Sequence, residues 1–483
     1  MKTIFTTVVF LAMVMTISGQ PNFLEIIDSA NHISNFEDRI TYIESYVAHL
    51  DTAGSPVIET DTANFVYYGS ATSVEIAGDF NGWGGDGTWT CNKIDGTDFF
   101  WYSHTFESTA RLDYKFIING SNWILDPLNP LSVSGGYGPN SELAMPAYVQ
   151  PWEIHEYPGV EKGTIESFSI KSPELNKNFS VQVYLPPGYD ASAYSYPVVY
   201  VHDGQEYLSL GGMDHVMDNL LDSNKIDPLI GVFIRPNNRN EEYGFSQRYQ
   251  YAQFIAETMV PYVDSAFRTI ASKDFRLTMG TSLGGNISGL ISYTYPGLFA
   301  NSGWHSPAFW VNNLEVANLY TSEYKDIKIY LTEGTYEDLG VDWAGFTDDL
   351  TQTGYQYDWA EYHEGHSWGH WRATIDDILK YFYPLGNAPL ALSDLSYQES
   401  GTVRLFPNPL FDIAAISIDI SQSGKYTLHV YNQLGQTIKT ESYFLTGPGS
   451  ATMKFDGSEL ESGAYYFTIS GMNKYYSGKM LKH

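Results

Sequence analysis

Residues 274–289 read DFRLTMGTSLGGNISG, and this stretch decides the fold of the chain around it. Its residues Phe275, Leu277 and Met279 alternate with polar ones, which is the period of a half-buried β-strand. A glycine-rich turn, GTSLG, follows, and the small residues after it suit a helix that packs closely on a sheet. The stretch therefore predicts a strand, a sharp turn and a helix, with Ser282 at the turn.

This pattern is typical of a nucleophile elbow, G-x-S-x-G, in which a tight backbone lifts a serine hydroxyl clear of the sheet. Ser282 is therefore the candidate nucleophile. A second copy, GHSWG at 365–369, carries His and Trp where a close turn needs small residues, and no acid followed by a histidine comes after it within one domain. Ser282 is followed by both, in the order that α/β-hydrolases use.

The length and charge of the chain limit the possible functions. With 483 residues the chain is too long for one core, which indicates about three domains. The formal net charge of −30 would repel phosphate backbones, so we do not expect a nucleic acid partner. Cys91 is the only cysteine, which excludes a disulfide or a cysteine-based metal site within the chain.

The first residues predict export. Residues 1–19 contain Lys2, a long apolar run and then small residues, which is the pattern of a secretory signal peptide. No other segment is apolar enough to cross a bilayer, so we expect no transmembrane segment.

Two further segments precede the main domain. Residues 20–54 have apolar residues at helical spacing and predict a short helical preface. Residues 55–148 contain short alternating segments such as FVYYG and LDYKFIING, bounded by turn residues, and predict a small all-β sandwich.

With DFNGW at 79–83, DYKF at 113–116 and DPLNP at 126–130, this sandwich resembles the N-terminal immunoglobulin-like module of isoamylases and glycogen-branching enzymes. The resemblance implies either glycan binding through exposed tryptophans or packing against a catalytic partner. Four residues could serve as stacking platforms or as ordinary core: Trp83, Trp89, Trp101 and Trp123.

Residues 160–387 alternate apolar strands with helical stretches, which predicts a doubly wound α/β sheet. Polar clusters follow the predicted strand ends at 202–205, 332–338 and 363–368. Because the crevice of an open parallel sheet lies outside the carboxyl ends of its strands, we expect these clusters to meet Ser282 there.

Several motifs in this domain resemble the enterochelin-esterase-like, or first-family carbohydrate esterase, branch of the α/β-hydrolases. These motifs are VYLPPGY at 183–189, DGQ at 203–205, NNR at 237–239, the GTSLG turn, GHSW at 365–368 and WR at 371–372. The resemblance implies a serine esterase that needs no metal or other cofactor.

The same resemblance implies roles for particular residues. His366 matches the base in the family's Gly-His-x-Trp loop, while structural roles are expected for the nearby His363 and His370. Glu337 falls where the Gly-Thr-x-Asp/Glu loop places the acid that orients the base, and the adjacent Asp338 stays open as an alternative.

A tetrahedral oxyanion needs two donors, and we expect the backbone N–H groups of Leu283 and Gln205 to supply them. His363 and His366 lack the accompanying ligands of a zinc site. Four side chains are candidates for substrate binding, with salt-bridge or packing roles as the alternative: Arg239, Trp304, Trp310 and Trp368.

The end of the chain predicts a separate domain. Residues 388–400 form a polar linker, and 401–483 predict a second small β-sandwich. With LFPNP at 405–409 and LESGAY at 460–465, this sandwich resembles the C-terminal sorting domain of type IX secretion cargo in Bacteroidetes. An ordinary binding module is the alternative.

The sequence thus predicts an α/β-hydrolase domain flanked by two all-β sandwiches, secreted or attached to the outer-membrane surface. The expected substrate is an acylated polysaccharide or oligosaccharide, such as feruloylated or acetylated xylan, and the expected partner is the type IX secretion machinery. Hydrolysis of a siderophore ester, or glycan binding without catalysis, are the alternatives.

Overall fold

The computed structural model describes residues 22–136, 138–386, 403–420, 422–432, 437–471 and 474–483. The predicted signal peptide at 1–19 and the predicted linker at 388–400 lie outside these residues. The chain divides into two units, residues 1–149 and 150–483. No helix of the described ranges combines the length and the apolar character needed to cross a membrane.

The first unit begins with two helices, α1 (Phe23–His32) and α2 (Phe36–Ala53), in the segment predicted to be helical. Asn22 caps α1 by accepting the N–H of Glu25. The strands that follow are β1 (Val57–Glu59), β2 (Thr62–Tyr68), β3 (Val74–Gly78), β4 (Trp89–Thr90), β5 (Asn92–Lys93), β6 (Phe99–Thr105), β7 (Arg111–Ile118), β8 (Asn122–Ile124), β9 (Ser132–Val133) and β10 (Asn140–Ala144).

These strands form two sheets, ordered β1-β2-β6-β5 and β4-β3-β7-β10-β9, with β8 paired to β7. Of the four tryptophans, Trp89 stacks on Phe80 with ring centroids 4.2 Å apart, and Trp101 packs edge-on against Phe23. Trp83 and Trp123 lie near-parallel with centroids 6.5 Å apart, and Trp123 is 45% exposed. The structure therefore places two tryptophans in packing contacts and pairs the other two at the surface.

The second unit contains an eight-stranded sheet ordered β11-β12-β14-β13-β15-β16-β17-β18. The strands from β13 onwards run parallel, while β11 and β12 form an antiparallel edge. The strands are β11 (Thr164–Ser172), β12 (Lys177–Leu185), β13 (Val198–His202), β14 (Ile230–Ile234), β15 (Arg276–Thr281), β16 (Asn301–His305), β17 (Lys328–Gly334) and β18 (Gln356–Tyr362).

Helices cover both faces of this sheet: α3 (Gly204–Ser209), α4 (Met213–Asp222), α5 (Arg248–Gln253), α6 (Val260–Ala266), α7 (Leu283–Thr294), α8 (Val311–Ser322), α9 (Trp343–Thr353) and α10 (Trp368–Phe382). Two separate apolar cores result, one including Ile287 and Ile329, the other Met279 and Ile378. Burial on both faces is why the strands β13 and β14 are nearly continuous apolar runs.

Within the second unit, a small β-sandwich follows the eight-stranded sheet. Its sheets are ordered β19-β20-β23 and β22-β21-β24-β25, around a core that includes Ile416, Leu428 and Phe467. The strands are β19 (Val403–Phe406), β20 (Ile413–Ile420), β21 (Gly424–Tyr431), β22 (Thr437–Leu445), β23 (Gly449–Asp456), β24 (Gly463–Gly471) and β25 (Lys474–Lys482).

Candidate active site

Ser282 lies at a sharp turn between β15 and α7, with φ 53° and ψ −118°, a strained backbone conformation for a residue with a side chain. The two flanking glycines make the turn possible. A Cβ on Gly280 would lie 2.5 Å from the carbonyl carbon of Gly284, and a Cβ on Gly284 would lie 3.0 Å from a carboxylate oxygen of Asp203. A side chain at Gly280 would therefore displace the turn, and one at Gly284 would push against the carboxylate of Asp203.

Three polar side chains meet at the carboxyl edge of the sheet. Ser282 follows β15, Glu337 follows β17, and His366 follows β18. The Ser282 Oγ lies 2.9 Å from Nε2 of His366. The other ring nitrogen, Nδ1, forms a hydrogen bond with Oε2 of Glu337. In this order the serine hydroxyl can donate to Nε2 while the Nδ1–H donates to the carboxylate.

The carboxylate of Glu337 is buried, with its side chain 1% exposed. Its Oε1 accepts the N–H of Gly334 at 2.5 Å and the hydroxyl of Ser306 at 2.6 Å. Burial pushes the pKa of Glu337 upward, but the hydrogen bond and charge of His366, the charge of His370 and the Ser306 hydrogen bond outweigh it, so this pKa is lowered. The carboxylate therefore stays ionised next to the imidazole.

The neighbouring carboxylate points elsewhere. Asp338 is exposed, and its Oδ1 accepts the N–H of Gly340 at 3.0 Å. Of the two acids left open by the sequence, Glu337 is the one that contacts His366.

The two expected oxyanion donors lie in the first turns of helices. Leu283 begins α7 and Gln205 follows the first residue of α3, where backbone N–H groups have no partner within the helix. The loop before Gln205 lies close to the sheet. A Cβ on Gly204 would be only 2.4 Å from the backbone of Ile234, which shows how close the approach is.

Arg239 braces this region. Its guanidinium binds both carboxylate oxygens of Asp203 at 2.8 to 2.9 Å and donates to the carbonyl of Thr281 at 3.2 Å. Asp203 is fully buried and has φ 61°. The structure therefore shows Arg239 in the salt-bridge role that the sequence left open as the alternative, where it supports the Asp203 loop and the turn before Ser282.

The three tryptophans assigned to substrate binding lie in different environments. Trp304 is fully buried, and its indole N–H donates to Ser302 at 2.6 Å, so its assignment to a substrate surface is wrong. Trp368 is 5% exposed and packs edge-on against Tyr207 and Trp371. Its assignment is likewise corrected to a packing role. Trp310 is 50% exposed, so of these three tryptophans it is the one that a ligand could reach.

Two buried histidines near the edge of the sheet, His202 and His305, have both ring nitrogens in hydrogen bonds within the core. Burial lowers the pKa of His202 to about 3, and burial with the charge of His370 lowers that of His305 to about 3. His305 contacts the hydroxyl of Tyr207 at 2.8 Å. Both imidazoles therefore serve as neutral hydrogen-bonding groups in the core.

Sequence reasoning missed Ser306 and Trp371. Ser306 contacts Glu337, and the indole N–H of Trp371 donates to the Ser306 hydroxyl at 3.0 Å. The sequence marked Trp371 only as part of the WR pair at 371–372. No pattern in the sequence pointed to Ser306. Among the described residues, no group of three or more His, Cys, Asp or Glu side chains is placed to hold a metal ion.

Comparison with known proteins agrees with this geometry. Residues 172–382 match the Esterase family model. The chain carries an esterase domain. Residues 404–483 match the secretion system C-terminal sorting domain. This type IX sorting domain marks the esterase for secretion and attachment at the cell surface.

Two curated relatives and one solved structure illustrate the likeness. YjcH of Bacillus subtilis is 28% identical over 236 residues, 46% of this chain and 98% of the relative. An endo-1,4-β-xylanase/feruloyl esterase of Xylanibacter ruminicola is 28% identical over 156 residues, 30% of this chain and 22% of the relative. The ferric enterobactin esterase of Salmonella typhimurium superposes with a TM-score of 0.60 at 18% identity, over 70% of this chain and 98% of its own. This last likeness shows the α/β-hydrolase fold alone.

Proposed function

We propose that the esterase acts by nucleophilic catalysis, with Ser282 as the nucleophile, His366 as the general base and Glu337 as the acid that orients it. The observation that carries this proposal is the unbroken series of hydrogen bonds from Ser282 through His366 to Glu337. Serine is a poor nucleophile by itself, and an adjacent base activates it.

The reaction then follows from these positions. The Ser282 Oγ attacks the ester carbonyl while His366 takes its proton, and the N–H groups of Leu283 and Gln205 stabilise the oxyanion. Collapse of the intermediate expels the alcohol, which receives the proton from His366. Water, deprotonated by the same imidazole, attacks the acyl-serine, and a second collapse releases the carboxylic acid and the free enzyme.

The proposed substrate is a plant polysaccharide, such as xylan, esterified with feruloyl or acetyl groups. Three observations support it: secretion to the cell surface, a relative named as a xylanase/feruloyl esterase, and the exposed ring of Trp310. An aromatic ring can stack on a feruloyl group or on a sugar face.

We also propose that the N-terminal sandwich binds glycan. The near-parallel pair of Trp83 and Trp123 supports this role, together with the resemblance to isoamylase-type modules. The indole N–H of Trp83 donates to the buried Asp79 at 2.9 Å, which holds this ring in place.

The test compares Ser282→Ala and His366→Ala with the wild type on a chromogenic short-chain ester. Both variants should lose at least about 10⁴-fold in turnover, because members of a triad act as a unit. His363→Ala is the matched control and should keep near-normal turnover. An active Ser282→Ala variant would refute the mechanism, and an inactive wild type would favour a glycan-binding protein without catalysis.

The substrate is tested separately, by comparing release of ferulate and acetate from xylans with hydrolysis of enterobactin. Faster release from either xylan supports the polysaccharide assignment. Faster hydrolysis of enterobactin would instead favour the siderophore alternative.

A further inference from the structure

Trp371 contacts two parts of the proposed triad. It lies in the first turn of α10 and is 7% exposed. Its ring stands at 90° to that of His366, with centroids 4.9 Å apart. Its indole N–H donates to the hydroxyl of Ser306 at 3.0 Å, and that hydroxyl donates to Oε1 of Glu337 at 2.6 Å. One side chain thus reaches both the base and, through Ser306, the acid.

The direction of these hydrogen bonds follows from the chemistry of the groups. An indole N–H is only a donor, and an ionised carboxylate is only an acceptor. The Ser306 hydroxyl must therefore accept from Trp371, which leaves its single proton for Glu337. Accepting one hydrogen bond also polarises a hydroxyl and makes it a better donor. Trp371 therefore strengthens the bond between Ser306 and Glu337.

The backbone holds Ser306 in this position. Ser306 has φ 43°, in the left-handed region, and its N–H donates to the carbonyl of Thr332 at 2.7 Å. Ser306 is fully buried, so no bulk water reaches its hydroxyl. The strained backbone aims the hydroxyl at Glu337, which follows the neighbouring strand β17.

We propose that Ser306 and Trp371 are positioning residues of the esterase reaction, an inference that rests on the proposed function. Together with the N–H of Gly334, Ser306 occupies Oε1 of Glu337, so the carboxylate cannot rotate and Oε2 stays directed at Nδ1 of His366. Trp371 orients the Ser306 hydroxyl and packs against the imidazole that Glu337 orients. These contacts also stabilise the ionised carboxylate in a buried site.

The test is the pH dependence of kcat/KM for a chromogenic acetate ester. The titratable groups around Glu337 are His366, His370 at 3.7 Å from Oε1, and the nearby Glu333. The Ser306 hydrogen bond helps to hold the pKa of Glu337 down, so loss of this donor raises that pKa. The acidic limb of the profile should therefore move to higher pH.

For Ser306→Ala we expect kcat to fall on the order of 10- to 100-fold with KM within about twofold, since the lost donor binds a charged group. Trp371→Phe keeps a ring but removes the N–H, and should lower kcat about 2- to 10-fold with a smaller shift of the limb in the same direction. The double variant should resemble Ser306→Ala alone, because without the hydroxyl the indole has no route to Glu337.

Ser302→Ala is the matched control. Ser302 is also buried and also accepts an indole N–H, that of Trp304 at 2.6 Å, but none of its hydrogen bonds reaches the triad. It should lower the melting temperature without moving the acidic limb. An unmoved limb in Ser306→Ala, with losses explained by stability as in the control, would overturn the inference. If Ser282→Ala is inactive at the same time, the proposed mechanism still stands.

Discussion

Replacing Glu337 by aspartate tests why this site uses the longer acid. Aspartate is shorter by one carbon–carbon bond, about 1.5 Å. Oε1 of Glu337 accepts the N–H of Gly334 at 2.5 Å and the hydroxyl of Ser306 at 2.6 Å. If the carboxylate moved back by one bond length, both distances would grow to about 4 Å, beyond hydrogen-bonding range. The shorter carboxylate can keep either these two anchors or the imidazole of His366, but not both.

Two hydrogen bonds to a charged group, at about 1.5 kcal/mol each, amount to about 3 kcal/mol, or roughly a 150-fold loss in kcat/KM for Glu337→Asp. Glu337→Gln keeps the length but removes the charge and turns a donor toward Nδ1. This variant should lose roughly 10⁴-fold, as the loss of charge does in a known serine protease triad. The isosteric variant is therefore expected to be the worse of the two.

The assay is steady-state hydrolysis of a chromogenic acetate ester at pH 8, with the melting temperature measured alongside. Asp338→Ala is the matched control, because it removes the adjacent exposed carboxylate, and it should stay within about twofold of the wild type. An inactive Asp338→Ala beside an active Glu337→Gln would move the acid by one residue. Full activity of Glu337→Asp would refute the argument from length.

Two further predictions concern pH and substrate. Burial and the charges of Glu361 and Glu337 raise the pKa of Glu333 from 4.5 to about 8, so stability from its proton is present below pH 4.5 and is lost as pH rises through 8. Glu333→Gln should therefore have a higher free energy of unfolding than the wild type at pH 9, by at most roughly 5 kcal/mol, and the same free energy of unfolding at pH 4. A difference at both pH values would contradict this origin. Trp310→Ala should lower the ratio of kcat/KM for methyl ferulate over methyl acetate about 2- to 12-fold, since an aromatic pair contributes about 0.5–1.5 kcal/mol, and an unchanged ratio would show that this ring does not bind the acyl group.

Local features of the structure follow from local sequence. The turn at Ser282 needs only an alternating strand, two glycines and a helix start, all within residues 274–289, and each acts on its immediate neighbours. The strand β16 (Asn301–His305), by contrast, was not predicted, because most of its residues are small or polar and such residues are typical of a loop. In the sheet, β16 lies between β15 and β17. Gly303 has no side chain and so leaves room for Ile378, whose nearest atom lies 2.9 Å from where a Cβ of residue 303 would be.

The sequence by itself determined the type of domain, the candidate nucleophile and base, and the sorting domain, because short motifs carry each of them. Only the tertiary structure showed that Glu337, and not Asp338, contacts His366. It also placed Trp304 in the core and Trp310 at the surface, and it joined Ser306 to Trp371 across 65 residues of chain. The physical reason is that burial and hydrogen bonding depend on which strands and helices become neighbours. Residue type and spacing do not record those neighbours.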